Sequence, residues 1–137
     1  MRRRDLIAAS LTLAATAGAA RAEDAVAASN NFDMSTIALP VIADGLVRNY
    51  IFVRVRLRVA MGGDPTDLRP KEAFYRDHLV RAAHATPFTL PGNWNRLNGR
   101  AMAESLLAAG TRISGSRVLR RVEILDQRPR HTVNVRR

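Results

Sequence analysis

The stretch Tyr50 to Ala60, YIFVRVRLRVA, constrains the fold more than any other part of the chain. Ile51, Val53, Val55, Leu57 and Val59 alternate with Tyr50, Phe52, Arg54, Arg56, Arg58 and Ala60. Side chains alternate faces with period two along a strand, so one face here is aliphatic and the other carries three arginines. No other segment is so regular, and it is read as the central strand of an antiparallel sheet. Successive arginines on one face stand about 6.8 Å apart, and such a row repels itself unless solvated or paired. Two uses follow for Arg54, Arg56 and Arg58. The row is a binding strip for an acidic protein surface or an anionic envelope component. Otherwise it is a solvent face whose arginine stems shield the sheet, paired across strands with residues such as Glu123.

The segments around this strand supply the rest of a two-layer domain. Phe32 to Ala43 is aliphatic and β-branched but holds Pro40, which fits an edge strand or an irregular extended segment. Asp44-Gly45 signals a turn, with Leu46 and Val47 lengthening the connection. Met61 to Arg69 is a loop, and Pro70 suits a first helical position. Lys71 to Ala85 is expected to be helical, with Tyr75, Leu79, Ala82 and Ala83 inward and Pro87 as its stop. Pro87 to Asn98 reads as a loop anchored by Phe88, Leu90 and Trp94. Asn95 or Asn98 caps a second helix over Gly99 to Ile113, with Met102, Leu106, Ala109 and Ile113 on one face, and Gly110 or Gly115 ends it. Arg117 to Gln127 reads as a strand with Val118, Val122 and Ile124 on one face. Arg128-Pro129 interrupts it, and Arg130 to Val135 is a short last strand or a frayed end. The expected fold is α+β: an antiparallel sheet of about three to four strands with two helices packed on one face.

The N-terminus is read as an export signal. Arg2 to Arg4 form a basic region, Leu6 to Ala20 carry no charge, and Ala20-Arg21-Ala22 is an A-x-A-type cleavage site. Arg3, Arg4, Leu6 and Ile7 resemble a twin-arginine export motif. The expected organisation is a cleavable signal over 1–22, a flexible linker over 23–31 and one α+β domain over 32–137. Fifteen uncharged residues are short for a membrane span, which takes about 20. Losing residues 1–22 takes 22 basic residues to 18 and 12 acidic residues to 11, so the net charge falls from +10 to +7. That balance still favours anionic partners, while export to the periplasm argues against nucleic acid.

Catalytic and metal motifs are missing from the sequence. The absence of cysteine removes disulfides, thiol catalysis and thiolate metal sites. His78 and His84 are six apart, not the four that places two ligands on one helix face, and His131 is remote. Asp64 and Asp67 suit turn and cap duties, since a calcium loop needs further oxygen ligands. No nucleophile elbow, dinucleotide fingerprint or phosphate loop occurs. The reading is a non-enzyme without cofactor or metal.

The order of pieces resembles the periplasmic domain of the flagellar basal-body-associated FliL family. The resemblance rests on Ala38-Leu39-Pro40, the Tyr50–Ala60 strand, the two helical segments, and Val118, Val122, Ile124 and Gln127 in the terminal strand. It implies an α+β domain similar to the stomatin/SPFH domain, self-association into rings around flagellar stator units, and no catalysis. That family is held by an N-terminal transmembrane helix, where this chain has a cleavable-looking signal. The expected protein is a soluble periplasmic interaction or scaffolding module, possible as a homo-oligomer, with a ligand-binding or enzyme-accessory protein as the alternative.

Overall fold

The structure, a computed structural model, describes residues 30–134. The export-signal residues Arg3, Arg4, Leu6, Ile7, Ala20 and Ala22 lie outside the described residues, as do most of the segment read as a linker and Val135. Asn31 already belongs to a strand, so the domain begins within that segment.

The sheet is built around β3 (Leu46–Val59), fourteen residues long. One edge of β3 pairs with β2 (Ile37–Ala43) and then with β1 (Asn31–Asp33). The other edge pairs with β6 (Leu119–Pro129), and every pairing is antiparallel. β1 and β2 make one interrupted edge lane, which Met34 N–H bridges to the Val55 carbonyl at 2.9 Å. Pro40 sits in this lane, where the sequence placed an edge strand. Helix α1 (Glu72–Ala85) packs on β2 and helix α2 (Gly99–Ser114) on β6, and the two helices touch. The α+β architecture expected from the sequence is the observed one.

The alternation in β3 is what divides inside from outside. Ile51, Val53, Val55 and Leu57 are fully buried and Val59 nearly so. They meet Tyr75 and Leu79 of α1 and Met102 and Leu106 of α2 in one aliphatic core. The opposite face of β3, from Tyr50 to Arg58, is half-buried or exposed. α2 comes close to β6 at Gly110, where a Cβ would lie 2.7 Å from Leu119 Cδ1. Gly110 is therefore an interior packing position, and Gly115 (φ 101°) ends the helix.

Several boundaries differ from the sequence reading, each for a physical reason. Asp44 and Gly45 both have positive φ (54° and 73°), the geometry of a two-residue hairpin turn whose twist matches its strands. Leu46 and Val47 consequently pair with Ala43 and Ile42 and belong to the strand. Pro70 lies inside a 3-10 helix (Pro65–Lys71), which Asp64 caps by accepting the Thr66 N–H at 2.9 Å. The segment read as a loop holds β4 (Thr89–Leu90) and β5 (Asn93–Leu97), joined through Pro91 and Gly92 (φ 68°). Proline followed by a positive-φ glycine is the type II turn pattern. Asn98 is the cap of α2, accepting the Ala101 N–H at 3.1 Å. β6 runs through Arg128 to Pro129, and Arg130 to Asn134 form no strand. No helix among the described residues is long and apolar enough to cross a membrane.

Candidate interaction surface

The uncovered face of the sheet brings the arginine row together with side chains from both neighbouring lanes. Arg56 stands between Asp33 and Glu123, Arg58 between Asn31 and Arg121, and Phe52 between Ala38 and Arg128. Arg54 faces Asp126, and Tyr50 faces Pro40. The cationic end of the face holds Arg54, Arg56 and Arg58; the other end is apolar, with Ala38, Phe52 and the half-buried Tyr50 over a buried Pro40. Across the face five arginines meet three carboxylates, which leaves a positive excess.

The three arginines are not equivalent. Arg56 is bidentate on Asp33, with Nε 2.6 Å from Oδ1 and Nη2 3.0 Å from Oδ2. That hydrogen bond, opposed by partial burial and helped by the Arg54 charge, holds the Asp33 carboxyl below its ordinary range. Arg58 Nε lies 3.1 Å from Glu123 Oε1, but its N–H is not aimed at that oxygen and makes no hydrogen bond. Arg121 shares the same carboxylate at 3.7 Å. Asp126, opposite Arg54, is taken by Arg128 at 2.8 Å. Arg54 has no ion pair among the described residues. The cross-strand pairing with Glu123 read from the sequence is therefore present, and of the three only Arg54 keeps its charge open. Phe52, on the same face, is 41% exposed.

A second lowered carboxyl fixes the break in the edge lane. Glu72 accepts the Ser35 N–H at 2.6 Å, which is the main cause of its depressed pKa. Both Asp33 and Glu72 stabilise the fold above their unfolded-state values, and that contribution is lost as pH falls through their folded values. Stability is expected to decline below about pH 4 in an acid titration followed by circular dichroism. Arg56→Gln should cost no more than about 1 kcal/mol at neutral pH, because the pair is partly exposed, and should flatten part of that acid limb.

His78 and Ser105 do not form a nucleophile–base pair. His78 Nε2 lies 2.9 Å from Ser105 Oγ, a spacing that invites comparison with a serine–base pair. Arg112 Nη2, however, is 3.3 Å from His78 Nδ1. Arginine has only donors, so Nδ1 accepts and the ring proton sits on Nε2, pointing at Ser105. A histidine in that tautomer donates to the hydroxyl and cannot take its proton. Burial and the Arg112 charge also lower the His78 pKa, which keeps the ring neutral. His84 Nδ1 bonds the Val80 carbonyl at 2.8 Å within α1, and Asp64 caps the 3-10 helix. Among the described residues no group of three His, Asp or Glu is placed to hold a metal.

Four polar side chains, in roles that the sequence reading did not assign, tie the β4–β5 hairpin to the main sheet and to the segment that follows β6. Asn49, the one buried polar side chain among the described residues, donates to the Trp94 and His131 carbonyls, both at 2.8 Å. Gln127 accepts the Leu97 N–H at 2.9 Å and donates to the Leu97 carbonyl at 3.2 Å. Asn95 does the same to Val133, at 2.7 and 2.6 Å. The Thr89 hydroxyl accepts from Ile42 N–H and donates to the Ile42 carbonyl. Each stands in for a peptide group of a neighbouring strand. Arg48, the extra residue of a bulge opposite Val41 and Ile42, lies 5.1 Å from the Trp94 ring centroid and closes the same corner. Asn49 was detectable in the sequence as a polar residue at an inward position of the alternation. No protein-family model matches the chain, and no curated protein and no solved structure matches it either.

Proposed function

We propose that the chain is an exported, non-catalytic interaction module of the periplasm that receives an acidic protein surface on the open face of its sheet. The observation that carries this reading is Arg54. It is a cation with no ion pair among the described residues, on a face with surplus positive charge and an exposed aromatic neighbour, Phe52. An arginine beside an aromatic is the pairing that anchors protein interfaces, and the positive excess selects against basic partners. The export reading rests on the N-terminal sequence, and the FliL-like order of elements supports a place in a larger envelope assembly by analogy alone.

The test is in-cell photo-crosslinking of the full chain. A crosslinking residue at Ala38, on the open face, is compared with one at Ala108, exposed on α2. The expected result is a discrete adduct from Ala38 that is absent from Ala108. Arg54→Glu should weaken the adduct roughly tenfold at low salt, with less effect as salt screens the charge. Mass spectrometry then identifies an acidic protein. An adduct with a second copy of the chain would replace the acidic-partner reading with self-association. No adduct at Ala38, or one indifferent to Arg54→Glu, would overturn the proposal.

A further inference from the structure

The crevice between α1 and α2 lies away from the open sheet face and carries a second concentration of positive charge. It is a groove of about 510 Å³, half open to solvent. Lys71, Arg81 and Arg112 line it with Asp77 as the only carboxylate, and Asp77 is held by Arg81 at 3.0 Å. Arg112 spends one Nη on the neutral His78 ring, and neither Arg112 nor Lys71 has an ion pair among the described residues. The crevice also has an apolar wall. Phe74 is 59% exposed on α1, with the Lys71 ammonium 5.8 Å from its ring centroid, and Ile113 stands on α2. A large aromatic left open beside unpaired cations matches a ligand with an apolar body and one anionic end.

We propose that this crevice binds a small organic carboxylate, its carboxylate on Arg112 and its aryl or short acyl body against Phe74. Arginine presents a planar fork that matches a carboxylate bidentately, whereas lysine offers a point charge, so Arg112 is the recognising group and Lys71 adds field. His78 serves as a reporter because it touches Arg112 directly. The charged groups around it are Asp77 and Arg81 from α1, Lys71 from the 3-10 helix and Arg112 from α2. Burial is the main cause of the lowered His78 pKa and the Arg112 charge the second; an anion on Arg112 offsets that second cause, so the titration midpoint of His78 rises when the site is filled.

The experiment is an NMR titration of the full chain with benzoate and with hexanoate, using benzyl alcohol as the uncharged control. The expected result is a saturable shift of the His78 and Phe74 ring signals with both acids and none with the alcohol. The His78 midpoint should move upward in the presence of either acid. Arg112→Gln should weaken binding roughly tenfold or more, the loss of one charge-assisted contact. Both Arg112 and Phe74 are exposed, so Arg112→Gln and Phe74→Ala leave the fold intact, which circular dichroism verifies. Three outcomes would each overturn the assignment: no saturable shift with either acid, equal binding of the alcohol, or Arg112→Gln binding as the parent does.

Discussion

Asn49→Leu is expected to remove roughly 3 kcal/mol of stability, because Asn49 is the one buried polar side chain among the described residues. Its amide uses all of its hydrogen-bonding capacity. Nδ2 donates to Trp94 and His131 carbonyls at 2.8 Å, and Oδ1 accepts the Tyr50 N–H at 2.9 Å and the His131 N–H at 3.4 Å. Leucine keeps the branched shape, is somewhat larger, and leaves those backbone groups without their partner. An unsatisfied buried group costs about 1–3 kcal/mol, and partial access of water keeps the sum below the full total. For a domain of this size the thermal midpoint should fall by more than about 10 °C. Asn49→Asp separates hydrogen bonding from shape. At neutral pH its carboxylate faces two carbonyl oxygens, so it should be at least as destabilising as leucine. Acid returns one O–H donor, and the deficit of Asn49→Asp relative to the parent should shrink as pH falls. Hydrogen exchange should quicken at His131 and around Trp94 while α1 is unchanged. A loss under about 1 kcal/mol would mean that water substitutes for the amide at this corner.

What the sequence disclosed and what it concealed divide along one physical line. Period-two alternation from Tyr50 to Val59 located the central strand, and inward positions at Tyr75, Leu79, Met102 and Leu106 located both helices, because burial of a face imposes a period. Pairing of the arginine face with Glu123 was also legible, since cross-strand neighbours of opposite charge follow from that geometry. The β4–β5 hairpin was not, although Pro91-Gly92 stands in the sequence as a turn signal. Its strands have two and five residues, too short for a period, and are held by side-chain amides together with the single buried aliphatic Leu97. For the same reason, of the two alternatives read for Arg130 to Val135, the strand is absent over Arg130 to Asn134. Asn49 and Asn95 engage the backbones of His131 and Val133 and satisfy the groups that a ladder would have used. The arginine row was found as a row, but which member stays unpaired depends on Asp33, Glu123 and Asp126, which lie on other lanes.

Tyr75→Ala is expected to cost about 3–5 kcal/mol, enough to unfold a marginal domain of this size. The ring is fully buried in the core beneath both helices, and its hydroxyl lies 2.6 Å from Ser114 Oγ at the last residue of α2. One side chain thus joins the apolar layer to the contact between the helices. Tyr75→Phe keeps the ring and removes only the hydroxyl contact, and Ser114 is only half-buried and can turn to water. That variant should lose about 1 kcal/mol at neutral pH. Alkaline titration distinguishes the two roles. Burial raises the Tyr75 pKa, opposed in part by the Ser114 hydrogen bond, so the native state holds its proton where the unfolded chain releases it. The resulting stability is complete below the unfolded value near about 10 and declines as pH rises through the folded value. The parent should therefore lose stability above about pH 10 in a urea titration, and Tyr75→Phe should lack the Tyr75 part of that decline, narrowing the gap between them. A gap that stays constant to high pH would show the phenol ionising without regard to folding, and would leave the ring's packing as the whole contribution of Tyr75 to joining α1 and α2.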